Sequence, residues 1–162
     1  IFTTKSDRNL NILIKAWNHL YSLNNDAKLL INPPINLSAD LLKKNIQVRN
    51  KGEKKDLIRD LKSSKIMLVP GHKGEVFCLA AEEARELCLP IITLGYGSLY
   101  ERVEHNKTGF IAKNLSEFVN YSHKLLNDNE LYLKLRTNLF KLRNSRNYIN
   151  VADDLLSLIR NS

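Results

Sequence analysis

Two glutamates beside a glycine-containing loop are the residues best suited to chemistry in this sequence. They are Glu75 and Glu83, eight positions apart in the stretch GHKGEVFCLAAEEARELCLPIIT, residues 71–93. On one helix they would be separated by about 80° around the axis and about 12 Å along it. The paired carboxylates of a glycosidase lie about 5–9.5 Å apart, so this spacing disfavours hydrolysis by such a pair. It suits an elongated ligand with one carboxylate at each end.

The loop 70–74 is predicted to lead from a strand into this helix. A helix N-terminus has unpaired backbone N–H groups and a partial positive charge, so it attracts anions, and Gly74 lets a ligand approach the backbone closely. A plain strand-to-helix turn explains the same glycines. Glu83 falls at the edge of the buried face of the helix, whereas Glu82 and Glu86 fall on its exposed side.

The elements that must position these residues alternate between strands and helices. Apolar runs of strand length occupy residues 1–4, 28–32, 46–48, 66–69, 90–93 and 109–112. Helical patterns occupy residues 9–23, 38–44 and 54–64, the stretch after Gly74, and residues 116–127, 130–143 and 150–160. This alternation predicts a single α/β domain over residues 1–162, with a doubly wound, mainly six-stranded parallel sheet and extra C-terminal helices that close one side of it.

Ligands of such sheets bind beyond the carboxyl ends of the strands, near the point where the strand order reverses. The loop after the first strand, KSDRN, supplies Lys5 and Arg8. On their own, these two residues are typical of solvated loop charges. An arginine at this edge of the sheet can bind a phosphate through two parallel hydrogen bonds.

Composition narrows the function classes. The net charge of +8 permits anionic partners, although solvated helix faces explain the charge more simply.

Cys78 and Cys88 would lie about 15 Å apart on the predicted helix, too far for a disulfide, which needs less than about 7 Å. Two buried thiols fit a reducing cytoplasm. No apolar run reaches the length of a membrane span, and Ile1 begins inside a predicted strand, so we expect a fragment of a longer chain.

The stretch GEVFCLAAEEARELCLPIITLGYGSLYERVEHNKTGFI resembles the nucleotide-sugar-binding signature of the retaining GT-B glycosyltransferases of group 1. The landmarks that match are Glu75, Phe77, Leu79, Glu83, Ala84, Pro90, Gly97, Glu101, Val103, Thr108, Gly109 and Phe110. The match covers residues 66–112, and the order of elements on both sides resembles the Rossmann-like C-terminal half of these enzymes. Val76, Cys78 and Ser98 stand where the family has glycine.

The resemblance implies a role for each candidate residue. Three would be catalytic: Glu75 would hold the sugar hydroxyls, and Arg8 and Lys5 would clamp the diphosphate. Glu83 would bind the ribose hydroxyls, and Arg49 and Asn50 would lie near the base. The remaining predicted contacts to the nucleotide sugar are Gly74 and the backbone N–H groups of Val76, Phe77, Cys78 and Leu79.

The resemblance also implies the reaction. A hexose would be transferred from a nucleotide diphosphate sugar to a glycan or lipid-linked acceptor, which a missing N-terminal domain would hold. The implied setting is synthesis of a cell-surface glycan in the cytoplasm, at the inner face of the membrane, with peripheral membrane association of the full-length enzyme. Neither a metal nor another cofactor is expected, and nucleic acid is not expected as a partner. The alternative is a non-catalytic basic α/β module that binds phosphate or nucleic acid, for which aromatic residues interleaved with basic ones would be typical.

Overall fold

Short parallel strands alternate with helices along the chain, as the sequence predicts. In the computed structural model, the described residues are 1–4, 8–32, 35–49, 52–145 and 148–160. The strands within these ranges are β1 (Leu29–Ile31), β2 (Ile46–Val48), β3 (Met67–Val69), β4 (Ile91–Thr93) and β5 (Gly109–Ile111). The helices are α1 (Leu10–Leu23), α2 (Ala39–Leu42), α3 (Lys54–Ser63), α4 (Leu79–Glu86), α5 (Leu99–Arg102), α6 (Leu115–Asn127), α7 (Asn129–Ser145) and α8 (Tyr148–Arg160).

The strands form two parallel sheets that residues 1–2 connect. β1 pairs with β2, and β4 lies between β3 and β5. The N–H of Phe2 donates to the carbonyl of Leu30 at 2.9 Å, and the N–H of Leu68 donates to the carbonyl of Ile1 at 2.8 Å. The spatial order is therefore β2, β1, residues 1–2, β3, β4, β5, which is the order of a doubly wound fold.

The predicted α/β class is confirmed, but the count of six strands is not. Residues 1–2 form an isolated bridge between Phe2 and Ile31, so five strands are present in the described part of the chain. The physical reason is that ladder hydrogen bonds reach only these two residues of the predicted strand 1–4. Their hydrogen bonds to both neighbours nevertheless place them where a sixth strand would lie.

Helices cover both faces of this arrangement because successive side chains of a strand point to opposite faces. Leu68 of β3 packs into one buried cluster with residues of α1 and α6. Met67 and Val69 of the same strand pack into a second cluster with residues of α3 and α4. Full burial of one such aliphatic side chain contributes about 1.5–3 kcal/mol. The two clusters thus fix the strand ends, from which the loops of the candidate site start.

The C-terminal helices follow β5 in the chain and pack back onto earlier elements. α6 packs against α1 and β4, and α7 contacts both α6 and α4. Leu135 and Leu139 are the buried anchors of α7, whereas α8 exposes Ile149, Leu158 and Ile159. Within the described ranges, every helix is too short or too polar to cross a lipid bilayer.

Candidate functional site

The candidate site lies where the strand order reverses. From residues 1–4 the chain leads through α1 to β1 on one side, whereas from β3 it leads through α4 to β4 on the other. The loops after residues 1–2 and after β3 therefore diverge at the carboxyl end of the sheet and leave a crevice. A hydrogen bond from the side-chain amide of Asn9 to the carbonyl oxygen of Gly71 joins the two loops.

A cavity of about 360 Å³ opens between these loops. Its wall is formed by Thr3, Thr4, Arg8, Gly74, Glu75, Val76, Phe77, Cys78, Leu79 and Ala80. Sequence reasoning assigned Arg8 and residues 74–79 to one site, and the structure brings them together here. Their chemical roles stay predictions. Lys5 and Asn50 lie outside the described residues.

The start of α4 differs from the predicted one, and the difference changes the geometry of the two glutamates. α4 begins at Leu79, whereas the sequence analysis placed Glu75 at the mouth of the helix. Gly71 and Cys78 have φ angles of 86° and 56°, and this left-handed backbone cannot continue a right-handed helix. Glu75 therefore lies in the β3–α4 loop. The predicted placement of Glu75 and Glu83 on one helix, with its angle and separation, is wrong.

The beginning of α4 still offers backbone hydrogen-bond donors. The N–H groups of residues 76–80 donate to no acceptor within the described residues, whereas the N–H of Ala81 already donates to the carbonyl of Cys78 at 3.0 Å. A helix N-terminus also carries a partial positive charge. Because residues 76–80 form part of the cavity wall, this side of the cavity favours an anion.

Arg8 meets the β3–α4 loop at two points. Its Nε lies 3.9 Å from Oε2 of Glu75, with side chains 29% and 14% exposed. Its Nη1 lies 3.3 Å from Nδ1 of His72, and the same Nδ1 accepts a hydrogen bond from the N–H of Gly74 at 3.0 Å. With Nδ1 as an acceptor, the neutral ring carries its proton on Nε2. His72 thus orients the guanidinium and the loop together.

Two threonines of the cavity wall were not assigned to the site by sequence reasoning. The hydroxyl oxygens of Thr3 and Thr4 are buried and have no hydrogen-bond partner within the described residues. A buried hydroxyl without a partner costs about 1–3 kcal/mol, so a polar ligand in the cavity would relieve this cost. The sequence does carry a signal for them, since both residues stand at the end of the first predicted strand. They were missed because only the charged residues of the following loop were considered.

Glu83 occupies the second turn of α4 and is half-buried. It lies about 6 Å along the helix axis from Leu79. Its carboxylate makes no ion pair or hydrogen bond within the described residues, and Glu83 is not among the residues that line the cavity. Glu83 therefore lies about one turn further along α4 than Leu79 and, unlike Glu75, does not line the cavity.

Glu82 is only partly exposed and is paired with two arginines, whereas the helix pattern placed it on the exposed side. Its Oε1 accepts a hydrogen bond from Nη1 of Arg85 at 2.7 Å and lies 2.8 Å from Nη1 of Arg102. Arg102 follows Glu82 by twenty positions and reaches it because α4 and α5 pack together. A contact between helices of this kind leaves no trace in local sequence spacing. Glu86, which was also expected to be exposed, is exposed and lies 3.4 Å from Arg143.

The turn between β4 and α5 supports Glu75 from outside the cavity. The N–H of Ser98 donates to the carbonyl oxygen of Glu75 at 2.9 Å. Gly97 has a φ of 59°, and a Cβ at this position would overlap the same carbonyl oxygen. A glycine is therefore required at residue 97 on two counts, its left-handed backbone and its close approach to Glu75.

Arg49 is separate from this cavity. It follows β2, at the opposite edge from β5, and its Nη1 lies 2.6 Å from Oδ2 of Asp60 on α3. The two side chains are only 16% and 14% exposed, so the ion pair anchors α3 to the end of β2. The structure does not bring Arg49 to the wall formed by Arg8 and residues 74–80.

The cysteines flank α4 instead of lying within it. Cys78 precedes the helix and Cys88 follows it, and both are buried free thiols. Burial raises the pKa of the Cys78 thiol to about 11, so this cavity residue is a protonated thiol at neutral pH and a poor nucleophile. No group of three histidine, cysteine or acidic side chains suited to a metal ion occurs in the described part of the chain.

Comparison with known proteins identifies the family and the fold. The model of the family described as glycosyl transferases group 1 matches residues 4–141. No curated protein sequence matches the chain. Among solved structures, Alr3699/HepE of Anabaena in complex with UDP superposes with a TM-score of 0.80 at 14% identity, covering 99% of this chain and 48% of that one.

Two further structures share the fold. The pneumococcal O-GlcNAc transferase GtfA, in complex with UDP and GlcNAc, has a TM-score of 0.74 at 15% identity over 99% of this chain and 35% of its own. The C-terminal domain of the group 1 glycosyl transferase LpcC of Francisella tularensis has a TM-score of 0.74 at 18% identity over 90% of this chain and 83% of its own. The chain thus spans about a third of the GtfA chain and most of the isolated C-terminal domain of LpcC.

Proposed function

The chain belongs to the glycosyl transferases group 1 family, and we propose that it binds the nucleotide diphosphate sugar of a hexosyltransferase. The observation that carries this proposal is the cavity at the reversal of strand order. It combines the guanidinium of Arg8, the carboxylate of Glu75 and the N–H groups of residues 76–80, which donate to no acceptor among the described residues. A ligand with an anionic centre and hydroxyl-bearing groups around it would match these protein groups in its chemistry.

The diphosphate would lie between Arg8 and the beginning of α4. During transfer, the bond from the anomeric carbon to the diphosphate oxygen breaks while a bond to the acceptor oxygen forms, and negative charge grows on the departing nucleoside diphosphate. The proton of the acceptor hydroxyl is released to the departing diphosphate or to solvent. Donors that are already in place stabilise such charge without reorganisation. Arg8 and the N–H groups of residues 76–80 would take this role, together with Lys5. Basic and backbone groups suffice for it, so we propose a reaction without a metal ion.

Glu75 would accept hydrogen bonds from hydroxyls of the transferred sugar. Its carbonyl is held by Ser98 and its carboxylate faces Arg8, so its position is fixed before the ligand arrives. Fixed positions of this kind lower the entropic cost of reaching the transition state. The hydroxyls of Thr3 and Thr4, without partners in the described chain, would complete the polar wall.

The acceptor would be held by another part of the full-length enzyme. Relatives such as GtfA are about three times as long as this chain, and catalysis in a two-domain cleft depends on closure that excludes water. We propose a glycan or lipid-linked acceptor, synthesis of a cell-surface glycan, and a cytoplasmic location at the inner face of the membrane. The chain by itself would bind nucleotides without transferring sugar.

The test is a calorimetric titration of the chain with UDP, GDP, ADP and CDP, starting with UDP because HepE and GtfA were solved with it. We expect one nucleotide to bind with a dissociation constant on the order of 0.1–1 mM, or about 4–5.5 kcal/mol, with a shallow dependence on salt. A steep loss of affinity with salt for single-stranded nucleic acid, and no nucleotide binding, would favour the non-catalytic basic module instead. Acceptor-dependent release of nucleoside diphosphate by this chain alone would contradict the divided site.

A further inference from the structure

Arg102, at the end of α5, contacts the loop in front of α4 at two points and the first turn of α4 at a third. Its Nε donates to the carbonyl oxygen of Phe77 at 3.1 Å, and its guanidinium carbon lies 4.1 Å from the centre of the Phe77 ring. Its Nη1 lies 2.8 Å from Oε1 of Glu82 in the first turn of α4. The side chains of Arg102 and Glu82 are only 14% and 25% exposed, so their ion pair is partly shielded from water, whereas Phe77 is exposed.

The hydrogen bond to Phe77 also fixes the direction of the next N–H group. The peptide bond between Phe77 and Cys78 is planar and trans, because no cis peptide occurs in the described chain, so its C=O and N–H point in opposite directions. The carbonyl of Phe77 points to Arg102. The N–H of Cys78 therefore points away from Arg102, and Cys78 lies in the cavity wall.

This segment needs an external support because its backbone is strained. Cys78 has a φ of 56°, a left-handed conformation that costs a residue with a side chain about 1–2 kcal/mol. Phe77 is 48% exposed and belongs to neither core cluster. Arg102 supplies contacts to both the ring and the carbonyl of Phe77, immediately before the strained residue.

We propose that Arg102 is a positioning residue for the nucleotide diphosphate. It holds the peptide between Phe77 and Cys78 in the orientation that presents the Cys78 N–H to the diphosphate, and it ties this peptide to the first turn of α4 through Glu82. That the ligand is a nucleotide diphosphate rests on the proposed function. The orientation of the peptide is inferred from the contacts of Arg102 and does not depend on the ligand.

Arg85 provides the matched control. Its Nη1 donates to the same Oε1 of Glu82 at 2.7 Å, but among the described residues it makes neither a hydrogen bond to the Phe77 carbonyl nor a cation–π contact with the Phe77 ring. Arg85→Ala and Arg102→Ala thus remove the same charge and one partner of the same carboxylate. They differ in the contacts to Phe77.

The experiment measures amide hydrogen exchange of residues 76–80 and affinities for UDP and for inorganic pyrophosphate. Because the amides of residues 76–80 donate to no acceptor within the described residues, they should exchange rapidly in every free variant, and a bound probe should slow their exchange in the parent chain. In Arg102→Ala, this protection at equal probe concentration and the affinity for both probes should each fall by about tenfold. Arg102→Lys should lose affinity similarly, because an ammonium keeps the charge but lacks the planar fork that donates and stacks. This variant decides the question if Arg102→Ala does not fold. Arg85→Ala should bind both probes like the parent chain.

Three outcomes count against the inference, and they are distinguishable. If the parent chain binds UDP and the folded Arg102 variants bind both probes equally well, Arg102 supports only the structure and the positioning role is overturned. If the parent chain binds neither the nucleoside diphosphates nor pyrophosphate, the proposed function fails and the inference fails with it. An equal loss of pyrophosphate affinity in Arg85→Ala would assign the effect to charge, which also overturns the role of the Phe77 contacts.

Discussion

The N–H of Ser98 donates a 2.9 Å hydrogen bond to the carbonyl oxygen of Glu75, so the turn after β4 supports the loop after β3. These turns follow neighbouring parallel strands and meet at the carboxyl edge of the sheet. The contact is close, because Gly97 packs against the same carbonyl group. The position of the Glu75 carboxylate is consequently set from both sides, by this turn and by Arg8.

Replacement of Gly97 by alanine should destabilise the fold. The new Cβ would overlap the Glu75 carbonyl at a left-handed φ of 59°, so we expect a loss of about 1–3 kcal/mol in the free energy of unfolding. Urea denaturation measures it. Gly74→Ala is the control, because its Cβ would meet only the His72 ring at 3.3 Å, which can move. An equal loss in both variants would contradict the specific contact.

Replacement of Glu83 by alanine should weaken nucleotide binding without unfolding the chain. If its carboxylate accepts two ribose hydroxyls, the loss is about 1.5–3 kcal/mol, the range for hydrogen bonds to a charged group. Calorimetry with the nucleotide that the parent binds best gives the value. Glu86→Ala removes an exposed carboxylate from the same helix and should bind like the parent. Parent-like affinity of a folded Glu83→Ala would refute the ribose assignment.

Replacement of Arg8 by alanine should reduce affinity for nucleoside diphosphates by about 1.5–3 kcal/mol, because a charge-assisted hydrogen bond to phosphate is lost. Arg8→Lys should recover part of this loss, since it restores the charge but not the paired donors. Arg59→Ala is the control for net charge. Its guanidinium is 68% exposed and pairs with Asp56 on α3. If Arg59→Ala loses as much affinity as Arg8→Ala, long-range charge and not contact explains the effect.

The thiol of Cys78 should make stability depend on pH in alkaline solution. Burial raises its pKa from 9.0 to about 11, so the folded state holds the proton more tightly than the unfolded state. The resulting stabilisation is complete below pH 9.0 and is lost as the pH rises towards about 11. Between about pH 8 and about pH 10.5, the urea midpoint of Cys78→Ala should therefore fall less than that of the parent.

The control for this pH dependence is Cys88→Ala, which removes the other buried thiol at a left-handed position. It retains Cys78 and should lose stability with pH as the parent does. The comparison uses the change with pH in each variant, so a constant cost of substitution at either position cancels. Identical alkaline loss in the parent and Cys78→Ala would show that other groups cause it.

Much of the fold could be predicted because its signals are local. Apolar runs of strand length between amphipathic helices predicted parallel pairing, and buried residues of β3 do pack on both faces of the sheet. The start of α4 could not be predicted, because left-handed backbone at a cysteine has no sequence signal comparable to glycine. Cys78 adopts it directly after Phe77, which Arg102 contacts from α5, and contacts between residues so far apart in the chain have no local sequence signal.

The residues of the candidate site also divide into those with a local sequence signal and those without one. Arg8 and residues 74–79 were identified because they follow strands whose ends meet at one edge of the sheet. Arg102 was missed because it acts from another helix, and Thr3 and Thr4 because an unpartnered hydroxyl becomes visible only when burial is known. Arg49 was assigned to the site by its position in the chain, but in the structure its guanidinium forms a salt bridge with Asp60 outside the cavity.

The burial of both cysteines makes the molecule suitable for spectroscopic labelling. The chain has two cysteines in 162 residues, and both are buried. A maleimide dye or a nitroxide would therefore react with a cysteine introduced at an exposed position far faster than with either native thiol. Lys73, exposed in the loop before the cavity, and Ser116, exposed at the start of α6, would carry such a pair of probes. Distance distributions between them would report movement of the β3–α4 loop directly, without prior removal of the native cysteines.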